Sequence, residues 1–251
     1  MNHRLTLAWM YPDLMSTYGD RGNIIVLVKR CEWRGIEVVV NEITLETPLS
    51  RLRGSDLIFM GGAQDRQQKI AGDDFLQNKG PVIKDMIEKN IPALFVCAAI
   101  QAVGHYYLPY QGEKIPGPGI FDLYTEHPGD QAKRLIGNAV AQIINPTDLA
   151  GIRIIGFENH GGRTHLGPAL KPFAKIIRGE GNNGEDGHEG AAYKNAIGSY
   201  FHGPLLPKNQ QIADWLIKRA LVTKYKTPIN LEKIDDELET KARKFIIEMN
   251  S

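Results

Sequence analysis

A cysteine and a distant histidine each follow a short apolar run, and together they are the residue types needed for nucleophilic catalysis. Cys97 comes directly after residues 93–96, and His202 follows residues 196–201. A thiol needs a base to become a thiolate at neutral pH, and an imidazole supplies that base and then protonates the leaving amine. Such pairs meet in space rather than in sequence. The alternatives are a cysteine buried as a small apolar residue and a histidine satisfied within its own loop.

The sequence around Cys97 predicts a sharp turn from a strand into a helix. Residues 93–96 are an unbroken apolar run, typical of a strand buried in a parallel sheet, and residues 98–103 predict the first helical turns. The first N–H groups of a helix lower a thiol's pKa and stabilise an oxyanion. We therefore assign oxyanion binding to the N–H groups of Ala98 and Gly62. Gly62 belongs to the pair Gly61-Gly62, which would let the backbone approach a ligand closely. The alternative for that pair is only a tight turn.

The elements that position these residues alternate between short strands and helices up to residue 104. Such alternation predicts an α/β fold, a mostly parallel twisted sheet with helices on both faces. In open α/β sheets ligands bind beyond the carboxyl ends of the strands, which is where Gly62, Cys97 and His202 would converge. Strands are predicted at residues 5–10, 36–40, 57–60 and 93–96, and helices at 64–70, at 81–89 and from an Asn23 cap to Gly35.

Beyond residue 104 the pattern changes. A long irregular connection is predicted at residues 109–130, and an exposed polar turn is predicted at 180–189. Extra antiparallel strands are predicted at residues 134–144, 152–157 and 174–177, followed by a last strand at 196–201. Two helices are predicted at residues 210–222 and 231–249. We divide the chain into a main domain, residues 1–225, and a C-terminal helical extension, residues 226–251.

Composition excludes several classes of function. The chain has 251 residues, of which 42% are hydrophobic and 24% are charged. Its net charge of +1 argues against nucleic-acid binding. Two cysteines signal no disulfide framework, and neither a membrane-length apolar run nor a signal peptide is evident, so we predict a cytoplasmic protein. The seven histidines show no metal-binding spacing, so no metal site is assigned.

Four motifs occur in the same order as in a known family: YPDLMSTYGDRGN at residues 11–23, GGAQDRQ at 61–67, GFENHGGRT at 156–164 and GSYFHGPLLPKN at 198–209. With the Cys97 turn and its C-x-x-x-Q sequence, they resemble class I glutamine amidotransferases of the cobyric-acid-synthase-like branch. Within that branch the chain most resembles the GatD-type glutaminase subunits of bacterial lipid II isoglutaminyl synthase. The resemblance covers residues 7–209.

The resemblance implies roles for individual residues. Cys97 would attack the side-chain amide of L-glutamine, forming a γ-glutamyl thioester and releasing ammonia, with His202 as base and then acid. Arg134 would hold the α-carboxylate, which suits its planar guanidinium, although a solvated surface charge is the alternative. Gln101 would line the substrate pocket. We assign no chemistry to His160.

The resemblance also implies a partner. The chain has no G-x-x-x-x-G-K-[ST] loop and no other recognisable ATP site, so no cofactor is assigned to it. The family pairs the glutaminase with a Mur-ligase-like synthetase subunit in a heterodimer. That partner would use ATP and Mg²⁺ to activate the D-glutamate of lipid II, which ammonia would convert to D-isoglutamine. The tail helix and the loop at residues 11–23 are the predicted docking surfaces.

Two departures from the family pattern affect the site. Phe95 and Ala99 stand two residues before and after the nucleophile, where class I domains usually have small residues, commonly glycine. Pro204 stands where many class I domains carry a glutamate that completes a triad. The enzyme would then use a Cys97–His202 dyad or an acid from elsewhere, and our hypothesis is that the partner subunit contributes it.

Two rival interpretations stay open. The same scaffold serves amidotransferase domains for other acceptors, such as cobyrinate-type substrates, and cysteine peptidases or deglycases with a similar turn. A non-catalytic binding module could also share the fold. The joint presence of Cys97, His202 and Arg134 speaks against that module.

Overall fold

The structure is a computed structural model that describes residues 3–248. Its strands are β1 (Arg4–Met10), β2 (Glu37–Ile43), β3 (Leu57–Met60), β4 (Ala93–Val96), β5 (Tyr106–Leu108), β6 (Ile115–Pro116), β7 (Leu123–Glu126), β8 (Leu135–Ile143), β9 (Arg153–His160), β10 (Arg163–Leu166), β11 (Ala174–Arg178), β12 (His188–Glu189), β13 (Ala191–Tyr193) and β14 (Ala196–Ser199). Its α-helices are α1 (Arg21–Glu32), α2 (Leu49–Arg53), α3 (Asp65–Asp74), α4 (Gly80–Glu88), α5 (Ala98–Ala102), α6 (Leu205–Lys208), α7 (Gln210–Tyr225) and α8 (Glu237–Glu248). Short 3-10 helices span Thr17–Gly19 and Thr147–Leu149, and a π-helix spans Phe75–Lys79.

The central sheet has the strand order β13-β14-β4-β3-β1-β2. All neighbouring pairs are parallel except β13 with β14, which is an antiparallel hairpin at one edge. The carboxyl ends of β1, β3, β4 and β14 therefore lie at one edge of the sheet, as the alternation of strands and helices predicts. The α/β fold class is confirmed.

Each face of this sheet is covered by its own set of helices. Because successive side chains of a strand point to opposite faces, β1 contributes Leu5 and Leu7 to one core and Ala8 and Met10 to the other. The first core also contains buried residues of α1 and α7, and the second contains those of α3, α4 and α5. Burial of apolar surface on both faces, at about 25 cal/mol per Å², fixes the register of the central strands and so the positions of their ends.

Two further four-stranded sheets follow β4 in sequence. One has the order β10-β7-β5-β6 and the other the order β12-β11-β8-β9, whose pairings are antiparallel. The extra antiparallel strands are thus confirmed. The long irregular connection predicted at residues 109–130 is only partly present, because β6 and β7 lie within it and pair with β5 and β10.

Three local predictions need correction. Helix α1 starts at Arg21 rather than after an Asn23 cap, because the Asn23 side chain accepts a hydrogen bond from the Leu206 N–H at 2.8 Å. The turn at residues 180–189 is not wholly exposed, since Asn182 and Glu189 are fully buried. The tail helix begins at Glu237 rather than at residue 231, and the end predicted at residue 249 lies outside the described residues.

A buried ion cluster attaches the segment before α8 to the main fold. Arg30 of α1 is only 2% exposed, and its guanidinium donates two hydrogen bonds to Asp214 of α7 and two to Asp236. Arg34 donates to Asp214 at 2.8 Å and to the Glu232 carbonyl at 2.7 Å. The boundary at residue 225 stays a prediction. Within residues 3–248 we find no helix long and apolar enough to cross a membrane.

Candidate active site

Cys97 lies on the sharp turn between β4 and α5 that the sequence predicts. Its backbone has φ 55° and ψ −112°. A residue with a side chain rarely adopts such a positive φ, which is found at strained functional turns. The turn is held because the Cys97 N–H donates to the Ser199 carbonyl on β14 at 2.8 Å. The side chain is 6% exposed and lines a cavity of about 620 Å³, so the thiol is within reach of a small molecule.

The bulk that departs from the family pattern is accommodated by the neighbouring strand. Phe95 pairs with Gly198 of β14, and its ring packs edge-on against Phe121 with ring centroids 5.7 Å apart. A Cβ atom at Gly198 would lie 2.7 Å from Ile100 and 3.1 Å from Phe121. The missing side chain at Gly198 thus leaves room for Ile100 and Phe121 beside Phe95, and Ala99 is fully buried without a glycine at its position.

His202, Cys97 and Gly62 meet at the carboxyl edge of the sheet. A Cβ atom added at Gly62 would lie 3.2 Å from His202 Cε1 and 3.4 Å from the Cys97 Cβ. His202 is 1% exposed and does not line the 620 Å³ cavity. The structure thus brings the predicted thiol and base together.

Gly61 and Gly62 contact the loop at residues 11–23 of the same chain rather than an open ligand site. The Gly62 N–H donates to Asp20 Oδ2 at 2.5 Å, and the Gly62 carbonyl accepts from the Thr17 hydroxyl at 2.6 Å. A Cβ at Gly61 would lie 2.7 Å from both the Asp20 carboxylate and the Met15 carbonyl. In this structure the Gly62 N–H is bonded to Asp20, and its oxyanion role stays a prediction. The Ala98 N–H faces the Cys97 sulfur and lowers the pKa of the thiol, and its oxyanion role stays a prediction.

Asp20 is a site residue that the sequence analysis missed. It is fully buried, and its Oδ1 lies 4.0 Å from His202 Nδ1, so a carboxylate of this chain does approach the imidazole. Burial raises the pKa of Asp20 to about 7, against the lowering effect of the Gly62 N–H. The available signal was its position in the loop after β1, at the same sheet edge as Cys97. The inward packing of Met15 and Asp20 also removes much of that loop from the predicted docking surface.

The Cys97 thiol and the His202 imidazole are both neutral at neutral pH. Burial, assisted by the charge of Asp20, raises the pKa of the Cys97 thiol to about 12, whereas the Ala98 N–H and Arg134 lower it. The N–H at the helix start lowers the thiol pKa as expected, but desolvation is the larger effect and the net shift is upward. Burial lowers the pKa of His202 to about 4, so the imidazole is unprotonated at neutral pH and able to take the thiol proton as attack begins.

Three other predicted residues line the same cavity as Cys97: Ala98, Gln101 and Arg134. The Arg134 Nε donates to Asn159 Oδ1 at 2.5 Å, and Nη2 donates to the Asn159 carbonyl at 2.9 Å. Within residues 3–248 its Nη1 makes no hydrogen bond. The guanidinium is thereby oriented, with donors left for a carboxylate.

Gln101 is held by a chain of buried hydroxyl groups. Its Nε2 donates to the Tyr200 hydroxyl at 3.2 Å, which is hydrogen-bonded to Thr164 at 2.5 Å, and Thr164 is hydrogen-bonded to Thr125 at 2.7 Å. These residues come from α5, β7, β10 and the end of β14, so the network joins the cavity wall to elements of two sheets. Such a network fixes a single side-chain geometry.

Comparisons with known proteins show the family to which the chain belongs. The model of the CobB/CobQ-like glutamine amidotransferase domain matches residues 6–210. The subunit GatD of lipid II isoglutaminyl synthase (glutamine-hydrolyzing) from Staphylococcus aureus is 39% identical, over 98% of this chain and 96% of that relative. The corresponding GatD subunit from Streptococcus pneumoniae is 38% identical, over 94% of this chain and 88% of that relative. A cobyric acid synthase from Pelotomaculum thermopropionicum is 24% identical over 61% of this chain but only 30% of its own length.

Solved structures share the fold at low sequence identity. The glutaminase domain of Trypanosoma brucei CTPS, with bound acivicin, has a TM-score of 0.54 at 12% identity and covers 91% of this chain and 96% of that chain. PurLQS from Thermotoga maritima has a TM-score of 0.52 at 15% identity, covering 90% of this chain and 100% of that one. The family model and the sequence relatives show that this chain is a glutamine amidotransferase, a member of the CobB/CobQ-like family that is similar over nearly its full length to GatD subunits of lipid II isoglutaminyl synthase.

Proposed function

We propose that this chain hydrolyses L-glutamine through a γ-glutamyl thioester on Cys97 and passes the ammonia to a Mur-ligase-like synthetase subunit. That partner would amidate the D-glutamate of lipid II to D-isoglutamine, a step of peptidoglycan synthesis. The observation that carries the proposal is that Cys97 lines one cavity with Arg134 while His202 and Cys97 lie together beside Gly62.

The reaction uses the neutral pair directly. With the glutamine α-carboxylate on Arg134, Cys97 Sγ attacks the side-chain amide carbon while His202 takes the thiol proton. The oxyanion of the tetrahedral intermediate is stabilised by the Ala98 N–H, and the protonated imidazole gives its proton to the departing nitrogen as ammonia leaves. Water, deprotonated by His202, then hydrolyses the thioester to glutamate and restores the thiol.

The partner is supported by the relatives and by the chemistry of ammonia. The GatD relatives are named as subunits of a synthase. Ammonia is used in synthesis only when an activated acceptor lies nearby. We therefore assign ATP and Mg²⁺ to the synthetase subunit. We place the heterodimer of the two subunits in the cytoplasm. A cobyrinate-type acceptor is less well supported, because the cobyric acid synthase relative is matched over less than a third of its length.

The acid that orients His202 has two supported sources. Asp20 lies 4.0 Å from the imidazole, which is longer than a hydrogen bond and would need a small movement to close. A partner carboxylate is the other source, supported by a cavity of about 360 Å³ that His202 lines together with Gly203 and Lys208. The Lys208 ammonium there would attract such a carboxylate.

The test is affinity capture of the native chain, followed by glutaminase assays with and without the captured partner. We expect an ATP-dependent ligase to copurify and ammonia release to require Cys97. Glutamine hydrolysis at equal rates with and without the partner would contradict the partner-supplied acid. In that case Asp20→Asn should lower kcat by at least about tenfold, since an unoriented imidazole is a poor base. Full ammonia release by Cys97→Ala would contradict the proposal as a whole.

A further inference from the structure

His160 is a buried histidine at the end of β9 whose ring the proposed mechanism does not use. It is 2% exposed and lines the same 620 Å³ cavity as Cys97, Gln101 and Arg134. Its Nε2 is buried and has no hydrogen-bond partner among residues 3–248. A buried polar atom left without a partner is costly, so such an atom on a side chain that lines a substrate cavity indicates a ligand group that would satisfy it.

The neighbouring turn fixes which ring nitrogen carries the proton. His160 Nδ1 lies 2.9 Å from the Gly162 carbonyl, and a carbonyl oxygen only accepts hydrogen bonds. The proton therefore resides on Nδ1, and Nε2 has a free lone pair. Burial lowers the pKa of His160 to about 3, and the charges of Arg163 and Arg134 act in the same direction. The ring thus stays a neutral acceptor over the physiological pH range.

The orientation of the His160 ring is also fixed. It stacks on Tyr200 with ring centroids 3.7 Å apart and an interplanar angle of 16°. Tyr200 directly follows Ser199, whose carbonyl accepts the Cys97 N–H, and its hydroxyl accepts from Gln101. His160 is therefore held against the strand that supports the nucleophile.

An acceptor in this place can bind only the donor groups of glutamine. The α-carboxylate and the amide oxygen have no hydrogen to donate, and the Asp65 carboxylate, which also lines the cavity, suits the α-ammonium group. The side-chain NH₂ is the remaining donor. We propose that His160 Nε2 accepts a hydrogen bond from the side-chain NH₂ of L-glutamine and so selects the amide over a carboxylate.

This inference rests on the proposed glutaminase activity and adds a basis for its specificity. Glutamate, the reaction product, presents a carboxylate that cannot donate to Nε2 and would face its lone pair. The same residue would therefore favour substrate binding and product release. A site that hydrogen-bonds an NH group strongly rejects an analogue that lacks it, because the buried acceptor is then left unpaired.

The test compares L-glutamine with L-glutamate γ-methyl ester, whose leaving group has no N–H. His160→Phe keeps a ring against Tyr200 but removes the acceptor, and we expect kcat/KM for the amide to fall about tenfold while that for the ester changes less than about twofold. His160→Gln, which offers an oxygen near the Nε2 position, should recover most of the loss. His165→Phe is the matched control, because His165 stacks on Tyr124 outside this cavity and should leave both substrates unaffected.

Equal losses for amide and ester in His160→Phe, or no loss for the amide, would overturn the assignment. If the unsubstituted chain with its partner hydrolysed neither substrate, the proposed function itself would fail, which is a distinct result. A measurement that leaves position 160 intact is ¹⁵N NMR of the histidine rings in Cys97→Ala. We expect the unprotonated Nε2 signal of His160 to shift with L-glutamine and not with L-glutamate. A protonated Nε2, or identical responses to both ligands, would contradict the proposal.

Discussion

Two clusters of buried charged and polar groups contrast in how well they are paired. At the junction of α1, α7 and the tail, Arg30 shares four hydrogen bonds with Asp214 and Asp236. At the carboxyl edge of the central sheet, Asp20 Oδ1 and His160 Nε2 are buried without a hydrogen-bond partner among the described residues. The first cluster is complete without any ligand, whereas the second has unmet hydrogen-bonding capacity beside a nucleophile.

The difference indicates which buried cluster stabilises the fold and which cluster binds a ligand. A satisfied buried network fastens elements together, and removing one member leaves charges uncompensated. An unsatisfied network is costly in the free enzyme and is expected where a substrate or transition state completes it. The two clusters should therefore respond to substitution in opposite ways, one in stability and the other in catalysis.

The largest expected effect is on catalysis. His202→Asn removes the base, so we expect kcat for glutamine hydrolysis to fall by about 10²- to 10⁴-fold with little change in folding stability. Steady-state ammonia release and thermal unfolding measure the two quantities. His188→Asn, on the partly exposed strand β12, is the control and should keep full activity. A large loss of stability without loss of kcat would remove the contrast between the clusters.

The next effect is on stability. Arg30→Met leaves Asp236 without its bonded cation and Asp214 with Arg34 alone, so the free energy of unfolding should fall by about 3 kcal/mol while kcat and KM of the folded protein persist. Denaturant unfolding and the glutaminase assay measure both. Lys29→Met is the control, because the Lys29–Glu32 pair is about half exposed and should change stability by less than about 1 kcal/mol. A selective loss of kcat in Arg30→Met would instead couple the junction to the active site.

Asp20 makes the stability of the active-site cluster depend on pH. Its folded pKa of about 7 lies above the ordinary value of 3.8, so the folded state binds the proton more tightly and stability falls as pH rises from about 4 to 7. Asp20→Asn should remove about 3 kcal/mol of this decline, measured by denaturant unfolding across that range. The variant would keep part of the fall in stability with pH, because the pKa of buried Glu189 is also raised, to about 8. The exposed Asp13 of the same loop is the control, and an Asp13→Asn effect as large as that of Asp20→Asn would contradict the assignment.

The smallest effect concerns substrate binding. Arg134→Lys replaces a planar donor with a point charge, so KM for glutamine should rise about tenfold with kcat nearly unchanged. Arg153→Lys, on the exposed start of β9, is the control. A fall in kcat with an unchanged KM would show that Arg134 acts on the reacting groups rather than on the carboxylate.

The sequence allowed prediction of residues whose position follows from strand ends. Cys97 and His202 each follow an apolar run, and parallel strands bring such ends to one edge. Asp20 escaped prediction because its burial depends on how the loop after β1 folds over Gly61 and Gly62, and no periodic pattern encodes that path. Strand β7 was missed for a similar reason, since its four residues become a strand by pairing with distant β5 and β10. The tail helix was predicted too long because tertiary contacts, here those of Asp236, set its start.

The most direct test of the central claim is covalent labelling by a glutamine-like electrophile such as 6-diazo-5-oxo-L-norleucine, followed by mass spectrometry of the intact and digested protein. Our account predicts a single adduct on the peptide containing Cys97, slowed by L-glutamine, much slower in His202→Asn and absent in Cys97→Ala, which should also release no ammonia. An adduct on another residue, or undiminished glutamine hydrolysis by Cys97→Ala, would contradict it.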